Sequence, residues 1–153
     1  MSEDLPREIR CVLVSTGGPP LLLPNAAIAE VIALPAVEPP AGAHPWLLGR
    51  IAWRGRKLPL LSYARLVGGE EDEEEGVRGV VLKATGRLPE LPFLALPIRG
   101  FPRLITLNAE LIVPTHDDAL LPPGMRMRVL VREHAAVIPD LEFIERALSE
   151  VRL

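Results

Sequence analysis

An apolar stretch interrupted by an arginine–glycine turn decides the fold: Gly49-Arg50-Ile51-Ala52-Trp53-Arg54-Gly55-Arg56-Lys57-Leu58-Pro59. The apolar residues of 47–53 predict one β-strand, and those of 57–61 predict a second. The residues between them predict a turn, because glycine adopts the positive φ that tight turns need. Pro59 places the second strand at a sheet edge or a bulge, since proline donates no backbone hydrogen bond.

Similar short runs flank this hairpin on both sides, separated by Gly/Pro-rich turns and by a proline-rich loop over 108–125. They predict a hairpin over 9–24, strands at 76–84, 93–98 and 104–107, and a closing hairpin of 126–131 with 135–138. Many short strands with little helix predict an all-β protein, a barrel or a pair of barrels.

Two segments predict short helices, near 25–34 and near 140–152. In the second, Asp140 is a candidate N-cap before an apolar stripe with helical spacing. In the first, Asn25 is the candidate N-cap, and one helical face would carry Ile28, Val31 and Ile32.

The composition predicts one globular domain over residues 1–153. Hydrophobic residues make up 48% of the chain, which excludes a disordered protein. The 17 prolines exclude a long helical bundle, since an interior proline costs a helix about 3 kcal/mol.

Charge is distributed unevenly along the chain. Six consecutive acidic residues at 70–75 predict an exposed loop over 69–76, because like charges repel and stay hydrated. Residues 39–69 contain five basic residues and no acidic one, but the net charge of −3 argues against nucleic-acid binding. The chain lacks a signal segment and a membrane-spanning run, so we expect a cytoplasmic protein with no direct membrane insertion.

Motifs for catalysis, metal binding or cofactor binding do not appear in the sequence. The three histidines lie apart, and Cys11 is the only cysteine, so no zinc site and no internal disulfide are expected. We expect no enzymatic activity, no metal and no cofactor. Two alternatives stay open: a β-barrel hydrolase using Ser62 or Ser15, and a single-stranded nucleic-acid-binding barrel using Trp53 and the basic segment 50–65.

The quoted stretch resembles the G-x-I-N-x-R-G-x-x-x-P signature of CheW-like domains, the adaptor proteins of bacterial chemosensory arrays. Residues 21–32 are similar to the family's strand followed by a V-x-E-I helix, with Glu30 at the acid position. Residues 94–107 resemble its V-D-x-V-x-x-V segment, and 135–148 resemble its terminal strand and D-x-x-x-L ending.

Three positions depart from the family pattern: Ala52 replaces its Asn, Ser62 replaces an Asp after the proline, and its D-x-V segment reads Arg99-Gly100-Phe101. These departures indicate a divergent adaptor with its own partners. The compact chain is also similar to accessory adaptors of pilus-type chemosensory systems.

The resemblance implies a fold of two small five-stranded β-barrels sharing a core, with a terminal helix. It implies a non-catalytic adaptor that links the signalling tip of methyl-accepting chemoreceptors to the regulatory domain of a CheA-type histidine kinase. Such an adaptor lies at the inner face of the membrane through receptor arrays. Which receptor and kinase it binds, and whether it self-associates, stay open.

The resemblance also implies which residues form the receptor side. Arg54 pairs with Glu30 and shapes that surface; in the alternative, both face solvent and the pair contributes about 0–1 kcal/mol. Further receptor-side candidates are Val31, Trp53 and Arg56, although Trp53 fits the core equally well and Val31 fits the core better. The structural signature consists of Gly49, Gly55 and Pro59.

Overall fold

The computed structural model describes residues 8–17, 19–42, 44–68, 78–108, 112–115 and 121–151. The loop expected at 69–76 lies outside the described residues. Within them the chain forms ten strands: β1 Ile9–Ser15, β2 Leu21–Pro24, β3 Ile28–Ala33, β4 Leu47–Trp53, β5 Arg56–Leu61, β6 Arg78–Lys83, β7 Phe93–Leu107, β8 Ile112–Pro114, β9 Met125–Val131 and β10 His134–Pro139. Two α-helices, α1 Tyr63–Leu66 and α2 Leu141–Ser149, and one 3-10 turn, Asn25–Ala27, complete the described elements.

The long strand β7 belongs to two groups of strands. Its first part pairs with β6 and, at one position, with β5, while residues 99–107 pair with β1. We call β3–β6 with residues 93–98 the first lobe. The second lobe consists of β1, β2, β8–β10 and residues 99–107 and follows the order β7-β1-β2-β10-β9-β8.

The first lobe closes into a ring of hydrogen-bonded strands. Its pairing runs β3-β6-β7-β5-β4. Glu38, shortly after β3, then exchanges two backbone hydrogen bonds with Arg50 of β4, with N–O distances of 2.8 and 2.9 Å. The contact between Glu38 and Arg50 therefore joins the two ends of the ring.

The main hydrophobic core lies between the lobes and draws side chains from both. It includes Val12 and Leu21 of the second lobe, Val80 and Leu82 of the first, and Ile144 of α2, each at most 5% exposed. Each lobe adds a smaller cluster of its own. Burial of such side chains stabilises the fold by about 1.5–3 kcal/mol each, so the shared core holds the lobes together.

The prediction of a helix near 25–34 is wrong. Only Asn25–Ala27 form a helical turn, Asn25 is not its N-cap, and Ile28–Ala33 form β3, paired with β6. The apolar spacing of this segment fits either a helix or a strand, and its β-branched residues favour the strand. Glu30 consequently lies on a strand.

Other differences concern element boundaries. The two strands predicted at 93–98 and 104–107 are one strand, which passes Gly100 at φ 63°. The short helix α1, capped by Ser62, was not predicted, and β8 lies in the expected loop. Both flanking hairpins are confirmed. The terminal helix is confirmed as well, with the Asp140 carboxylate accepting a hydrogen bond from the Phe143 amide at 3.2 Å.

Helix α2 is fixed to the β6–β7 connection by a buried carboxylate. Glu145 is 2% exposed and accepts hydrogen bonds from the backbone N–H and the hydroxyl of Thr85, at 3.0–3.1 Å. Three residues earlier, Glu142 makes an exposed ion pair with Arg87 at 3.2 Å. The two glutamates share a helix but differ in burial.

We predict that Glu145→Ala lowers the free energy of unfolding by about 2 kcal/mol, because it removes the hydrogen bonds that the backbone and side chain of Thr85 donate to a buried charged group. The matched control Glu142→Ala should cost about 0.5 kcal/mol. Urea denaturation measures both values, and equal losses would contradict a special role for the hydrogen bonds between Glu145 and Thr85.

Candidate functional site at the β4–β5 turn

The turn between β4 and β5 has two residues, both in the left-handed backbone region. Arg54 has φ 47° and Gly55 has φ 74°, and the flanking residues Trp53 and Arg56 pair across the strands. Two positive φ values are typical of the turns whose twist matches a β-hairpin. A Cβ on Gly55 would meet nothing within 4 Å, so backbone conformation alone explains this glycine.

Glu30 of β3 connects to this turn by two contacts. Its Oε1 accepts a hydrogen bond from the indole Nε1 of Trp53 at 2.9 Å and lies 3.0 Å from Nη2 of Arg54. The predicted contact between Glu30 and Arg54 is therefore present, although Glu30 reaches it from a strand. The role of this pair in binding a receptor stays a prediction.

The three side chains differ strongly in exposure. Trp53 is 8% exposed, whereas the side chains of Glu30 and Arg54 are 39% and 66% exposed. Screening by water limits such an ion pair to about 0–1 kcal/mol of stability. The buried indole therefore holds Glu30 in place, and the exposed guanidinium is available to a partner.

Trp53 belongs to the core of the first lobe. Its ring makes an edge-on contact with Phe93, with centroids 4.9 Å apart, and the guanidinium of Arg54 lies 4.9 Å from its centroid. Of the two interpretations of Trp53, barrel packing is the one observed, and an exposed contact is wrong. Arg56 is exposed, with its guanidinium 5.6 Å from the Phe93 ring.

Val31 does not lie on the same surface. Successive residues of a strand point to opposite faces, so Val31 faces away from Glu30. It pairs with Val80, a residue of the core between the lobes, and is 38% exposed. The structure thus brings together Glu30, Trp53, Arg54 and Arg56, and places Val31 on the opposite face of β3.

Gly49 is required by a close approach of two backbone segments. A Cβ there would lie 2.0 Å from the carbonyl oxygen of Glu38, and its φ is 146°. Pro59 stands opposite Arg50 in the β4–β5 register, on the strand next to this contact. Both signature residues therefore lie where the first lobe closes.

Glu38 was missed by the sequence analysis, although it is the last acidic residue before the basic stretch. Its carboxylate makes an ion pair with Arg50 at 3.4 Å and accepts a hydrogen bond from the Lys57 ammonium. The hydrogen bond from Lys57, helped by the two nearby positive charges, lowers the pKa of Glu38 below its usual value.

One departure from the family signature, Ser62, has a local explanation in the structure. Ser62 is 2% exposed, and its hydroxyl caps α1 by accepting a hydrogen bond from the Arg65 amide at 3.3 Å. Ala52 is exposed on β4 opposite Lys57. Nothing in the structure explains Arg99. Burial makes Ser62 unsuitable as a hydrolase nucleophile, and burial of Trp53 removes the aromatic platform of the nucleic-acid alternative.

Comparison with known proteins agrees with this arrangement. The model of the family described as CheW-like domain matches residues 10–147, which is most of the chain. The chain belongs to the CheW-like domain family. The scaffolding protein TtCheW from Thermoanaerobacter tengcongensis is similar in fold, with a TM-score of 0.71 and 14% identity over 90% of this chain and 88% of that one. No curated protein matches significantly.

CheW-like proteins are non-catalytic scaffolds of chemotaxis signalling that couple receptors with the CheA kinase, and this chain is an adaptor of that kind. The mostly β fold with lobes sharing one core fits the family. The hydrolase alternative finds no support. Among the described residues, no cluster of His, Cys, Asp or Glu is suited to a metal ion. None of the helices described is long and apolar enough to cross a membrane.

We predict that Gly49→Ala destabilises this CheW-like domain by about 3 kcal/mol or more, because the added methyl group overlaps the Glu38 carbonyl. Gly55→Ala meets open space and should cost about 1 kcal/mol through its positive φ alone. Thermal and urea unfolding of the two variants give the comparison. A Gly49→Ala protein as stable as Gly55→Ala would show that the lobe closes differently.

We predict that Glu38 stabilises the protein in a pH-dependent way. Its pKa is lower in the folded than in the unfolded chain, so its contribution is complete above the unfolded pKa and is lost as the pH falls through the folded pKa. The difference in Tm between wild type and Glu38→Gln should therefore be largest near neutral pH and shrink in acid. The exposed control Glu90→Gln should change Tm little at any pH, and a pH-independent gap for Glu38→Gln would contradict the prediction.

Proposed function

We propose that this CheW-like domain, acting as a single unit over residues 1–153, joins the signalling tip of a methyl-accepting chemoreceptor to the regulatory domain of a CheA-type histidine kinase. The observation that carries the proposal is the exposed Glu30–Arg54 pair, held by the buried indole of Trp53 at the end of the first lobe. A rigidly held pair of charges without catalytic groups suits recognition.

The receptor-side surface proposed here consists of Glu30, Arg54 and Arg56, with Trp53 beneath it. Three restraints fix its geometry: the hydrogen bond to the indole, the two-residue turn, and the packing of Trp53 on Phe93. Because these groups are ordered before a partner arrives, binding loses little conformational entropy. Charged groups at such a surface select partners by electrostatic complementarity.

Val31 offers a separate contact. It lies on the opposite face of β3 and is partly exposed beside the core between the lobes. Under this proposal a receptor that reaches Val31 as well as Arg54 spans two faces of the first lobe. Substitutions at the two positions therefore test two contacts, and their effects on binding should be close to additive.

We also propose that the protein acts in the cytoplasm, at the inner face of the membrane, through receptor arrays. Its recruitment there would depend on its partners. A fluorescent fusion that loses its clustered distribution when the host's chemoreceptors are deleted would support this location.

The decisive experiment compares receptor and kinase binding of charge variants by calorimetry. Arg54→Glu should weaken binding to a receptor tip fragment about tenfold, because it reverses an exposed charge without disturbing the core. Glu30→Gln keeps an acceptor for the Trp53 indole while it removes the charge, so it isolates the electrostatic contribution. The double change Glu30→Arg with Arg54→Glu should restore part of the affinity, although the guanidinium introduced on β3 cannot accept from the indole.

The matched control is Arg87→Glu, which reverses an equally exposed arginine that also pairs with a glutamate, at 3.2 Å. It should leave receptor binding unchanged, and all variants should leave kinase binding unchanged if the kinase uses another surface. Folded Arg54→Glu protein that binds the receptor like wild type would refute the receptor-side surface. Failure of wild type to bind either fragment would refute the coupling role itself.

A further inference from the structure

The second lobe carries a groove that lies apart from the proposed receptor-side surface. Its volume is about 340 Å³, within the range of about 300–1,000 Å³ that is usual for ligand sites. The groove lies between β7 and the β9–β10 hairpin. It belongs to a different lobe from the Glu30–Arg54 pair.

The floor of the groove is apolar. It is formed by Leu13, Ile105 and Val131, which also pack in the second lobe's own hydrophobic cluster. Leu13 and Ile105 are only partly buried, so their outer surfaces face the groove. Such a floor favours an apolar side chain, because removing the two apolar surfaces from water is favourable.

The rim of the groove carries positive charge. Arg103 and Arg132 supply this charge, His134 lies beside them, and none of the described lining residues bears a carboxylate. Arg103 and Ile105 lie on one face of β7, since they are two residues apart along a regular part of the strand. Charged rim and apolar floor therefore adjoin each other directly.

The β9–β10 turn places one of these arginines. Arg132 and Glu133 form a two-residue turn with φ 48° and 71°, and Nη2 of Arg132 donates to the carbonyl oxygen of Thr106 on β7 at 3.4 Å. This contact runs from the hairpin to β7, and residues of both elements line the groove. The remaining guanidinium donors suit a carboxylate, which arginine binds in a planar, two-pronged geometry.

We infer that this groove binds an acidic segment of a partner protein, with one apolar side chain on the floor and flanking carboxylates on Arg103 and Arg132. Charge complementarity selects the acidic segment, and the apolar floor excludes a simple inorganic anion as the preferred ligand. The inference goes beyond the proposed coupling function, because it adds a second recognition surface on the other lobe. It stands or falls independently of Arg54.

The test uses a short labelled peptide in which glutamate alternates with leucine, titrated with the full-length protein at low ionic strength, where charge contacts are least screened. Two control peptides carry serine in place of leucine or lysine in place of glutamate. We expect saturable binding of the first peptide alone. Arg103→Glu should weaken that binding about tenfold, which corresponds to 1.4 kcal/mol.

Two further variants separate the groove from general charge effects. Arg126→Glu changes an exposed arginine of β9 that does not line the groove and should leave affinity unchanged. Ala135→Phe fills the groove at an exposed lining position without changing charge and should weaken binding several-fold. Circular dichroism verifies that each variant is folded, and Arg132→Glu serves in place of Arg103→Glu if the latter fails to fold.

Several outcomes would overturn the inference. These are the absence of binding by wild type, equal loss in Arg103→Glu and Arg126→Glu, or equal binding of the lysine peptide. Binding to phosphatidylglycerol vesicles that Arg103→Glu abolishes, without peptide binding, would assign the groove to a membrane surface. Self-association that Arg103→Glu abolishes would assign it to a second copy of the chain.

Discussion

Two backbone hydrogen bonds between Glu38 and Arg50 join the ends of the first lobe, and the geometry of the candidate site depends on them. They place β4 in the ring that contains β3, so that a carboxylate on one strand meets an indole and a guanidinium on the other. Only glycine fits at position 49 beside this contact, because a larger residue would overlap the Glu38 carbonyl. The close approach of the backbone at Gly49 to Glu38 therefore determines where the charges of Glu30 and Arg54 lie on the surface.

Under the proposed function, stability and recognition rest on different atoms of the same small cluster. The indole of Trp53 is buried, makes the hydrogen bond that orients Glu30 and packs on Phe93, so it contributes mainly to folding. The guanidinium of Arg54 is mostly exposed and contributes little to folding. Substitution of the arginine therefore has a small structural cost, and under the proposed function it would change which partners bind.

Local signals in the sequence were sufficient for the hairpins and for α2, since turn residues and a capping aspartate act over a few positions. They failed for β3, whose apolar spacing fits both periods, and for β7, where Gly100 resembles a break but is accommodated within a strand. The contact between Glu30 and Arg54 was predicted only through family resemblance. The closing contact of Glu38 and the burial of Trp53 are non-local, so no short motif reports them.

The continuous path of β7 through both lobes makes the molecule a spacer of fixed length. Under the two proposals, a partner on the first lobe and a partner on the second would be separated by extended backbone, at about 3.3 Å per residue, instead of by a flexible linker. Within β7, Gly100 has the backbone freedom that allows the strand to bend. Substitutions of side chains at either end of β7 therefore leave the connection between the two lobes in place.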